Sequence, residues 1–202
     1  METIAIIDYG MGNLRSVQKA LEQVGAQAII TSEAAVIRNA KKIVLPGVGA
    51  MRPAMEKLTA LKLIPVVQEA VNSKRPFLGI CLGLQLLFDE SDEGGTVKGL
   101  GVLPGRVLKF SKLKVPHMGW NRIDIQRNDC PLFNEITTSE YVYFCHSYFV
   151  KPDDNDIVAA KTNYGLDFVS SVYTGSIFGV QFHPEKSQSV GLKMLKNFVH
   201  SV

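Results

Sequence analysis

Short apolar runs alternate with segments of helical periodicity through the amino-terminal part of the chain. The apolar runs predict buried β-strands at residues 3–8, 27–30, 42–45 and 77–81. Apolar residues that recur every three or four positions predict helices over residues 14–24 and 65–71, with Asn13 as the N-cap of the first. This strand–helix–strand order is typical of a parallel sheet covered by helices.

The pattern changes after Gly94, where predicted strands follow one another with short turns. These strands are predicted at residues 102–110, 122–126, 141–150, 157–161, 168–172 and 177–182. Residues 191–199 predict a closing helix with one apolar side. We therefore expect an α/β fold, with a mostly parallel central sheet flanked by helices and an antiparallel strand extension. No repeat or linker divides the sequence, so residues 1–202 are expected to form a single domain.

Composition narrows the class of protein. Hydrophobic residues make up 46% and charged residues 20% of the 202 residues, which is typical of a globular chain with a substantial core. The net charge of +3 is too small to indicate nucleic-acid binding, and the cluster of Lys109, Lys112 and Lys114 is expected to be a solvated loop. The uncharged apolar run at residues 76–88 is shorter than the roughly 20 apolar residues of a membrane helix, and no signal peptide is predicted.

The cysteine count indicates free thiols. Cys81, Cys130 and Cys145 are odd in number and lack the spacing of a disulfide framework. We therefore expect a reducing, cytoplasmic location, in which a free thiol persists. Because the sequence contains no Cys-x-x-Cys or His-x-x-x-His pair, neither a metal site nor a cofactor is expected.

Cys81 lies at the centre of the most informative motif, Gly79-Ile80-Cys81-Leu82-Gly83. A buried strand leads into the motif, and the apolar residues 84–88 predict a helix directly after it. Flanking glycines permit a sharp turn that lifts the sulfur above the sheet, and a helix N-terminus favours the thiolate. The sequence therefore predicts a nucleophile elbow with cysteine in place of serine. For an isolated cysteine, a buried structural thiol would be the alternative.

A base and its orienting group are predicted in the segment His183-Pro184-Glu185. Because residues two apart on an extended backbone project the same way, Glu185 is expected to orient the imidazole of His183. His146 is the rival base. It has Cys145 as its neighbour, but adjacent strand residues point to opposite faces and neither lies in an elbow. We therefore interpret His146 as a structural or substrate-lining residue.

Attack of a thiolate on a carbonyl creates an oxyanion, which needs backbone N–H donors. The residue after the nucleophile, Leu82, is expected to supply one donor. A second is expected from Val48 or Gly49, in the glycine-rich loop after the strand at 42–45. Taken alone, this loop would be a plain glycine turn.

Two further segments have more than one interpretation. Residues 115–121 place His117 and Trp120 in a predicted loop of large side chains, which indicates either a packed loop or a recognition surface. The acidic run at residues 89–93 is expected to be a solvated helix exit, from which one carboxylate could reach a bound amine.

The motifs Gly-Ile-Cys-Leu-Gly-Leu-Gln at residues 79–85 and Val-Gln-Phe-His-Pro-Glu at residues 180–185 strongly resemble those of class I glutamine amidotransferases. That family uses a Cys-His-Glu triad to release ammonia from glutamine. Within it, further stretches resemble the glutaminase subunits of imidazole glycerol phosphate synthases, at residues 8–13, 46–49, 116–121 and 183–187. Leu84 is a departure, since many members of the class carry Met or His there.

The resemblance implies roles for the matching residues. The implied nucleophile, base and orienting carboxylate are Cys81, His183 and Glu185. Residues implied to contact glutamine are Gln85, Glu93 at its α-amino group, and Ser147 and Tyr148 through their backbone. The implied oxyanion loop contains Val48 and Gly49. The residues implied to face a partner subunit are Asn13, Trp120, Tyr143 and Lys186.

The resemblance also implies what the partner does. It would be a (β/α)-barrel cyclase subunit that forms a heterodimer with this chain and receives the ammonia through its barrel. There the ammonia would join a phosphoribulosyl formimino precursor, to give imidazole glycerol phosphate and aminoimidazole carboxamide ribotide in histidine biosynthesis. Three alternatives stay open: a glutaminase component of another amidotransferase, a free-standing thiol γ-glutamyl hydrolase, and a non-enzymatic binding subunit.

Overall fold

The computed structural model describes residues 3–111 and 113–202, so Lys112 of the lysine cluster lies outside the described residues. The helices are α1 (Leu14–Gln23), α2 (Ala34–Asn39), α3 (Met51–Ala60), α4 (Ile64–Asn72), α5 (Leu82–Gln85) and α6 (Gln188–His200). The first seven strands are β1 (Thr3–Ile7), β2 (Gln27–Thr31), β3 (Lys42–Gly47), β4 (Phe77–Cys81), β5 (Phe88–Ser91), β6 (Val97–Lys98) and β7 (Leu103–Lys109). The others are β8 (His117–Arg122), β9 (Asp124–Ile125), β10 (Tyr141–His146), β11 (Tyr148–Pro152), β12 (Val158–Asn163), β13 (Asp167–Thr174) and β14 (Ile177–Val180).

Most strands form one sheet, of order β2-β1-β3-β4-β14-β13-β11-β7-β5-β6. The strands from β2 to β14 in that order run parallel. Beyond β14, the pairs with β13, β11 and β7 are antiparallel, and β12 and β9 extend the sheet beside β13. A separate antiparallel pair consists of β8 and β10. The predicted α/β fold, with a parallel central sheet and an antiparallel extension, is confirmed.

Helices cover both faces of the parallel strands. On one face, α1 and α6 pack through apolar residues that include Val17, Leu21, Leu195 and Phe198. On the other face, α2, α3 and α4 contribute Ile37, Leu58 and Val67. Because both faces are covered, the strands themselves are almost continuously apolar, as β4 is throughout its length and β3 is after Lys42.

The carboxyl ends of β1, β3, β4 and β14 lie side by side, because these strands are parallel neighbours. Ligands of open α/β sheets bind at this edge, where the loops that follow the strands meet. The loops after Ile7, Gly47, Cys81 and Val180 therefore converge, although they are far apart in sequence.

Several sequence predictions differ from the structure in the antiparallel part. The segment predicted as one strand at 141–150 is divided at Ser147 into β10 and β11, which belong to different sheets. Residues 117–121, predicted as part of a loop, belong to β8, and the strand predicted at 122–126 is reduced to the last residue of β8 and the two-residue β9. The last strand ends at Val180, before the predicted end at residue 182.

Helix predictions were incomplete in the amino-terminal part. Helices α2 and α3 were missed, and Asn13 occupies the N-cap position of α1 without a side-chain capping hydrogen bond. Residues 84–88, predicted as a helix, instead comprise the end of α5, a turn and the start of β5. The acidic run at 89–93 consequently belongs largely to a strand rather than to a helix exit.

Among residues 3–111 and 113–202, no helix combines the length and the apolar character that a membrane span requires. Within the same residues, no group of three or more His, Cys, Asp or Glu side chains is placed to hold a metal ion.

Candidate active site

Cys81 sits in a sharp turn between β4 and α5. Its backbone has φ 54° and ψ −108°, a conformation that non-glycine residues adopt only at a cost in strain. The flanking glycines are needed for close packing: a Cβ on Gly79 would lie 2.8 Å from the Gly83 oxygen, and one on Gly83 would lie 1.7 Å from the Leu45 oxygen. The structure thus gives Cys81 the geometry of a nucleophile elbow.

The helix behind Cys81 is shorter than the sequence predicts. Helix α5 has only four residues, and β5 begins at Phe88. Because the dipole of a single turn is small, the surroundings of the sulfur matter more than the helix. The thiol lies 3.9 Å from the Cys145 carbonyl oxygen, and the Gln181 side-chain amide donates to the sulfur at 3.7 Å.

His183 and Glu185 form a buried pair. The Nδ1 atom of His183 lies 2.8 Å from Oε1 of Glu185, and both side chains are less than 5% exposed. We predicted this pairing from an extended backbone, and that part of the prediction was wrong, because Pro184–Lys186 forms a 3₁₀ turn. The turn nevertheless brings the carboxylate back onto the imidazole. Among the described residues, none donates a hydrogen bond to Oε2 of Glu185.

The charge state of His183 is set by its two partners. Burial by itself lowers the pKa of His183, but hydrogen bonds with Cys81 and Glu185 outweigh it and raise the pKa from 6.5 to about 10. At neutral pH the imidazole of His183 is therefore protonated. It lies between the Cys81 sulfur and the Glu185 carboxylate. A thiol beside a protonated imidazole that is itself paired with a carboxylate is the arrangement of a nucleophilic cysteine and its base.

The predicted oxyanion loop lies beside the nucleophile. In the parallel pairing of β3 with β4, Gly47 is directly opposite Cys81, and Val48 and Gly49 follow at once. Val48 is 40% exposed, and Gly49 has φ 93°. Leu82, the other predicted donor, begins α5 directly after Cys81. All the predicted oxyanion donors therefore come together at one edge of the sheet.

The residues expected to bind glutamine lie in α5, at the junction of β10 and β11, and directly after β5. The buried Gln85 side chain donates to the Tyr148 carbonyl at 2.9 Å and to the Gln181 side chain at 3.0 Å. Ser147, between β10 and β11, accepts the Phe110 amide through its carbonyl at 3.1 Å. Glu93 accepts the Met51 amide at 2.7 Å, at the start of the helix that follows the oxyanion loop.

Sequence reasoning did not single out Gln181 and Ser187. Gln181 links Gln85 to the sulfur, and Ser187 donates to the His183 carbonyl at 2.6 Å while accepting the Tyr143 amide at 3.0 Å. Gln181 lies inside the quoted motif at 180–185 and Ser187 inside the stretch at 183–187, so their closeness to His183 and Glu185 was the available signal. Their function is to hold the loop that carries His183 against β4 and β10.

His146 is held in a buried chain of hydrogen bonds, and within the described part of the chain it forms none with the Cys81 sulfur. Its Nδ1 faces the Tyr148 carbonyl at 2.8 Å, so that nitrogen carries the proton. Its Nε2 then accepts from Nδ1 of His117 at 3.0 Å, and Nε2 of His117 accepts from Asn121 at 3.2 Å. Burial lowers the pKa of His146 to about 3 and that of His117 to about 4. Both histidines are therefore neutral near pH 7.

Three residues expected to face a partner form a cluster on the surface. The Trp120 and Tyr143 rings are 6.0 Å apart in an edge-to-face arrangement, and the Lys186 ammonium lies 5.8 Å from the centre of the Tyr143 ring. Trp120 is 46% exposed. Asn13 is exposed before α1, which packs on the 3₁₀ turn that carries Lys186.

Comparison with known proteins agrees with these observations. The sequence profile of the family described as "Glutamine amidotransferase class-I" matches residues 5–202. The chain belongs to that family. The imidazole glycerol phosphate synthase subunit HisH of Syntrophotalea carbinolica is 55% identical, over 96% of this chain and 98% of its own length. The corresponding HisH subunit of Geobacter metallireducens is 50% identical, over 100% of this chain and 99% of its own length.

Similarity in fold to class I glutamine amidotransferases extends to solved structures of low sequence identity. The structure described as PurLQS from Thermotoga maritima has a TM-score of 0.76 at 21% identity, over 100% of this chain and 97% of that chain. The predicted membership of the glutamine amidotransferases is confirmed, as is the resemblance to the HisH subunits of imidazole glycerol phosphate synthase.

Proposed function

We propose that this chain hydrolyses glutamine at Cys81 and supplies the ammonia to a cyclase subunit of imidazole glycerol phosphate synthase, in histidine biosynthesis. One observation carries the proposal: a strained elbow cysteine shares a buried, protonated histidine with a carboxylate. HisH subunits at 50–55% identity over nearly the whole chain support the assignment to this synthase.

The first half of the reaction forms a thioester. The Cys81 thiolate attacks the side-chain carboxamide carbon of glutamine, and the negative charge moves to the carbonyl oxygen. Backbone N–H groups of Leu82 and of Val48 or Gly49 stabilise that oxyanion. His183 then gives its proton to the departing nitrogen, the carbon–nitrogen bond breaks and ammonia leaves.

The second half regenerates the enzyme. His183, now neutral, takes a proton from a water molecule, and the resulting hydroxide attacks the thioester carbon. The carbon–sulfur bond breaks, glutamate leaves, and the thiolate–imidazolium pair is restored. Glu185 keeps the imidazole in the orientation and tautomer that both transfers need, through the 2.8 Å hydrogen bond to Nδ1. Glutamine and water are thus converted into glutamate and ammonia.

The amino-acid end of glutamine is proposed to bind beside this machinery. Glu93 supplies a carboxylate for the α-amino group, and the backbone of Ser147 and Tyr148 binds the α-carboxylate. Gln85 fixes the Tyr148 carbonyl at 2.9 Å and so keeps this side of the site in place.

The proposed cyclase contact is the outward face of β8 and β10. Met118, Trp120 and Tyr141 are 60%, 46% and 54% exposed there, and a cluster of large apolar side chains on a surface is typical of a protein–protein contact. Lys186 adds a positive charge beside it. We propose a heterodimer with the cyclase at this face, in the cytoplasm, where Cys81 stays reduced.

Steady-state kinetics test the proposal. Glutamate release is measured for the chain alone, with the cyclase subunit, and with the cyclase subunit and its nucleotide substrate. We expect low turnover alone and higher turnover in the complex. Equal turnover in all three mixtures would favour a free-standing hydrolase, and no turnover in any of them would favour a binding subunit.

A further inference from the structure

The hydroxyl of Tyr9 is a buried hydrogen-bond donor that the described structure leaves unused. The Tyr9 side chain is 1% exposed, and no group within residues 3–111 and 113–202 forms a hydrogen bond with its oxygen. Most buried hydroxyls in folded proteins are paired, since an unpaired one keeps the cost of leaving water without a compensating bond. An unpaired hydroxyl in a densely packed position therefore calls for a function.

Tyr9 lies against the oxyanion loop. A Cβ on Gly47 would be 2.3 Å from the Tyr9 oxygen, so the hydroxyl occupies the space that a side chain at Gly47 would take. Gly47 is opposite Cys81 in the sheet. Met11, from the same loop as Tyr9, lies within 3.0 Å of the position of a Cβ on Gly49. Residues 8–13 thus run beside the segment from Gly47 to Gly49.

Two hydrogen bonds to the backbone of Gly10 hold the loop that carries Tyr9. The Asp8 carboxylate accepts the Gly10 amide at 2.9 Å, and the Lys57 ammonium donates to the Gly10 carbonyl at 2.9 Å. The oxyanion loop has more freedom, because Val48 is 40% exposed and lies between two glycines. Burial, and then the charge of Cys81, raise the pKa of Tyr9, so its hydroxyl keeps its proton and stays a donor.

Rotation of the Gly47–Val48 peptide moves two groups at once. When the N–H of Val48 turns toward the oxyanion, the carbonyl of Gly47 turns to the opposite side. A carbonyl in that buried position needs a donor. The Tyr9 hydroxyl is within contact distance of Gly47 and has no other partner in the described part of the chain.

We propose that Tyr9 is a positioning residue of the oxyanion loop, whose hydroxyl donates to the Gly47 carbonyl when the Val48 N–H points at the oxyanion. The hydrogen bond exists only in the productive orientation of the loop. It therefore favours that orientation and leaves the resting one unaffected. This role rests on the proposed hydrolysis of glutamine at Cys81.

The test is Tyr9→Phe, which removes only the hydroxyl oxygen, in the complex with the cyclase subunit. We expect kcat for glutamine to fall roughly three- to ten-fold, the factor that corresponds to one neutral hydrogen bond. KM should be unchanged, and the melting temperature of the isolated chain should be equal or higher, because an unpaired buried hydroxyl has been removed. Tyr173→Phe is the control, since Tyr173 stacks on Phe178 away from Cys81.

A double variant separates positioning from direct contact with the reacting atoms. Val48→Pro has no Val48 N–H to orient, so Tyr9→Phe should add no further loss of kcat in that background. Any of three results would overturn the proposal. They are losses of kcat that multiply in the double variant, an unchanged kcat in Tyr9→Phe, and a loss of kcat in Tyr9→Phe together with a lower melting temperature. The wild-type complex distinguishes a failure of the Tyr9 proposal from a failure of the proposed function. If the wild type itself releases no glutamate, the proposed hydrolysis is wrong.

Discussion

Gly47 lies directly opposite Cys81 in the parallel pairing of β3 with β4. Since both strands end at the same edge, the residues that follow them emerge next to each other. Val48 and Gly49 are thereby adjacent to Cys81 and Leu82, which no local sequence pattern could establish. The register of two parallel strands therefore assembles the nucleophile and the oxyanion donors in one place.

Replacement of Val48 tests the donor role of this loop. Val48→Pro removes the backbone N–H, and loss of one oxyanion donor lowers kcat by about 10²–10³-fold. Val48→Ala keeps the N–H and is the matched control, with nearly normal kcat expected. The measurement is glutamate release in the complex, with circular dichroism to verify that both variants are folded. Similar activity of the two variants would show that the donor comes from elsewhere.

Two substitutions of Cys81 separate its chemistry from its backbone strain. Cys81→Ala and Cys81→Gly should both abolish glutamine-dependent synthesis and leave ammonium-dependent synthesis by the complex intact. Because φ at this position is 54°, Cys81→Gly should be about 1 kcal/mol more stable than Cys81→Ala. Chemical denaturation measures the difference. Glutamine turnover by either variant would exclude Cys81 as the nucleophile.

Cysteine reactivity supplies a second measurement for the same residue. Burial raises the pKa of Cys130 to about 11 and its side chain is fully buried, so iodoacetamide should label Cys81 before Cys130. Cys145 is partly exposed on β10 and is therefore a poor reference for this comparison. Mass spectrometry of the labelled peptides gives the order.

His183 and Glu185 should contribute unequally to catalysis. His183 moves a proton in both half-reactions, and a well-placed acid–base group is worth about 10²–10⁴-fold. His183→Asn should therefore be almost inactive, whereas Glu185→Gln loses orientation and charge support and keeps more activity. Steady-state rates in the complex check the order. An active His183 variant beside an inactive His146→Asn would show that the base had been chosen wrongly.

The geometry of the elbow could be predicted from the sequence because it is set by local contacts. The elbow depends on five consecutive residues, 79–83, whose glycines are needed for contacts with their own flanking segments and with Leu45. A local pattern of this kind is visible in the sequence. His183 and Glu185 were paired correctly from their spacing, although a 3₁₀ turn and not a strand brings them together.

Errors arose where long-range packing decides the structure. Residues 141–150 form one β-favouring apolar pattern, but β10 pairs with β8 whereas β11 joins the main sheet beside β7. Residues 84–88 are buried on all sides, so periodicity alone does not distinguish a helix from a strand there. The role of Gln181 depends on contacts with Gln85 and Cys81, which are distant in sequence.

The buried histidine pair should make the protein sensitive to acid. The folded-state pKa values are about 4 for His117 and about 3 for His146, below the ordinary value of 6.5, so the unfolded chain binds these protons more readily. Their contribution to stability is complete above pH 6.5 and is lost as the pH falls toward 4. Urea unfolding between pH 7 and pH 4.5 should show this decrease, with a smaller slope in His146→Gln. Histidine resonances of both residues that titrate near pH 6.5 would contradict the prediction.

Trp120 should be an anchor of the cyclase contact. It is 46% exposed and packs on Tyr143, whose carbonyl accepts the His183 amide at 2.9 Å. Truncation of a large aromatic anchor weakens binding by roughly ten- to hundred-fold, so Trp120→Ala should raise the dissociation constant by that factor. Leu61→Ala is the matched control, because Leu61 is also 46% exposed but lies at the end of α3.

The same variant tests whether the contact also activates the enzyme. The Tyr143–His183 hydrogen bond and the Lys186–Tyr143 contact connect the Trp120 surface to the catalytic histidine. At cyclase concentrations that saturate Trp120→Ala, its glutamine turnover should therefore remain below that of wild type, while the basal turnover of the isolated chain is unchanged. Full activation at saturation would limit Trp120 to binding, and an unchanged dissociation constant would place the cyclase on another face of the molecule.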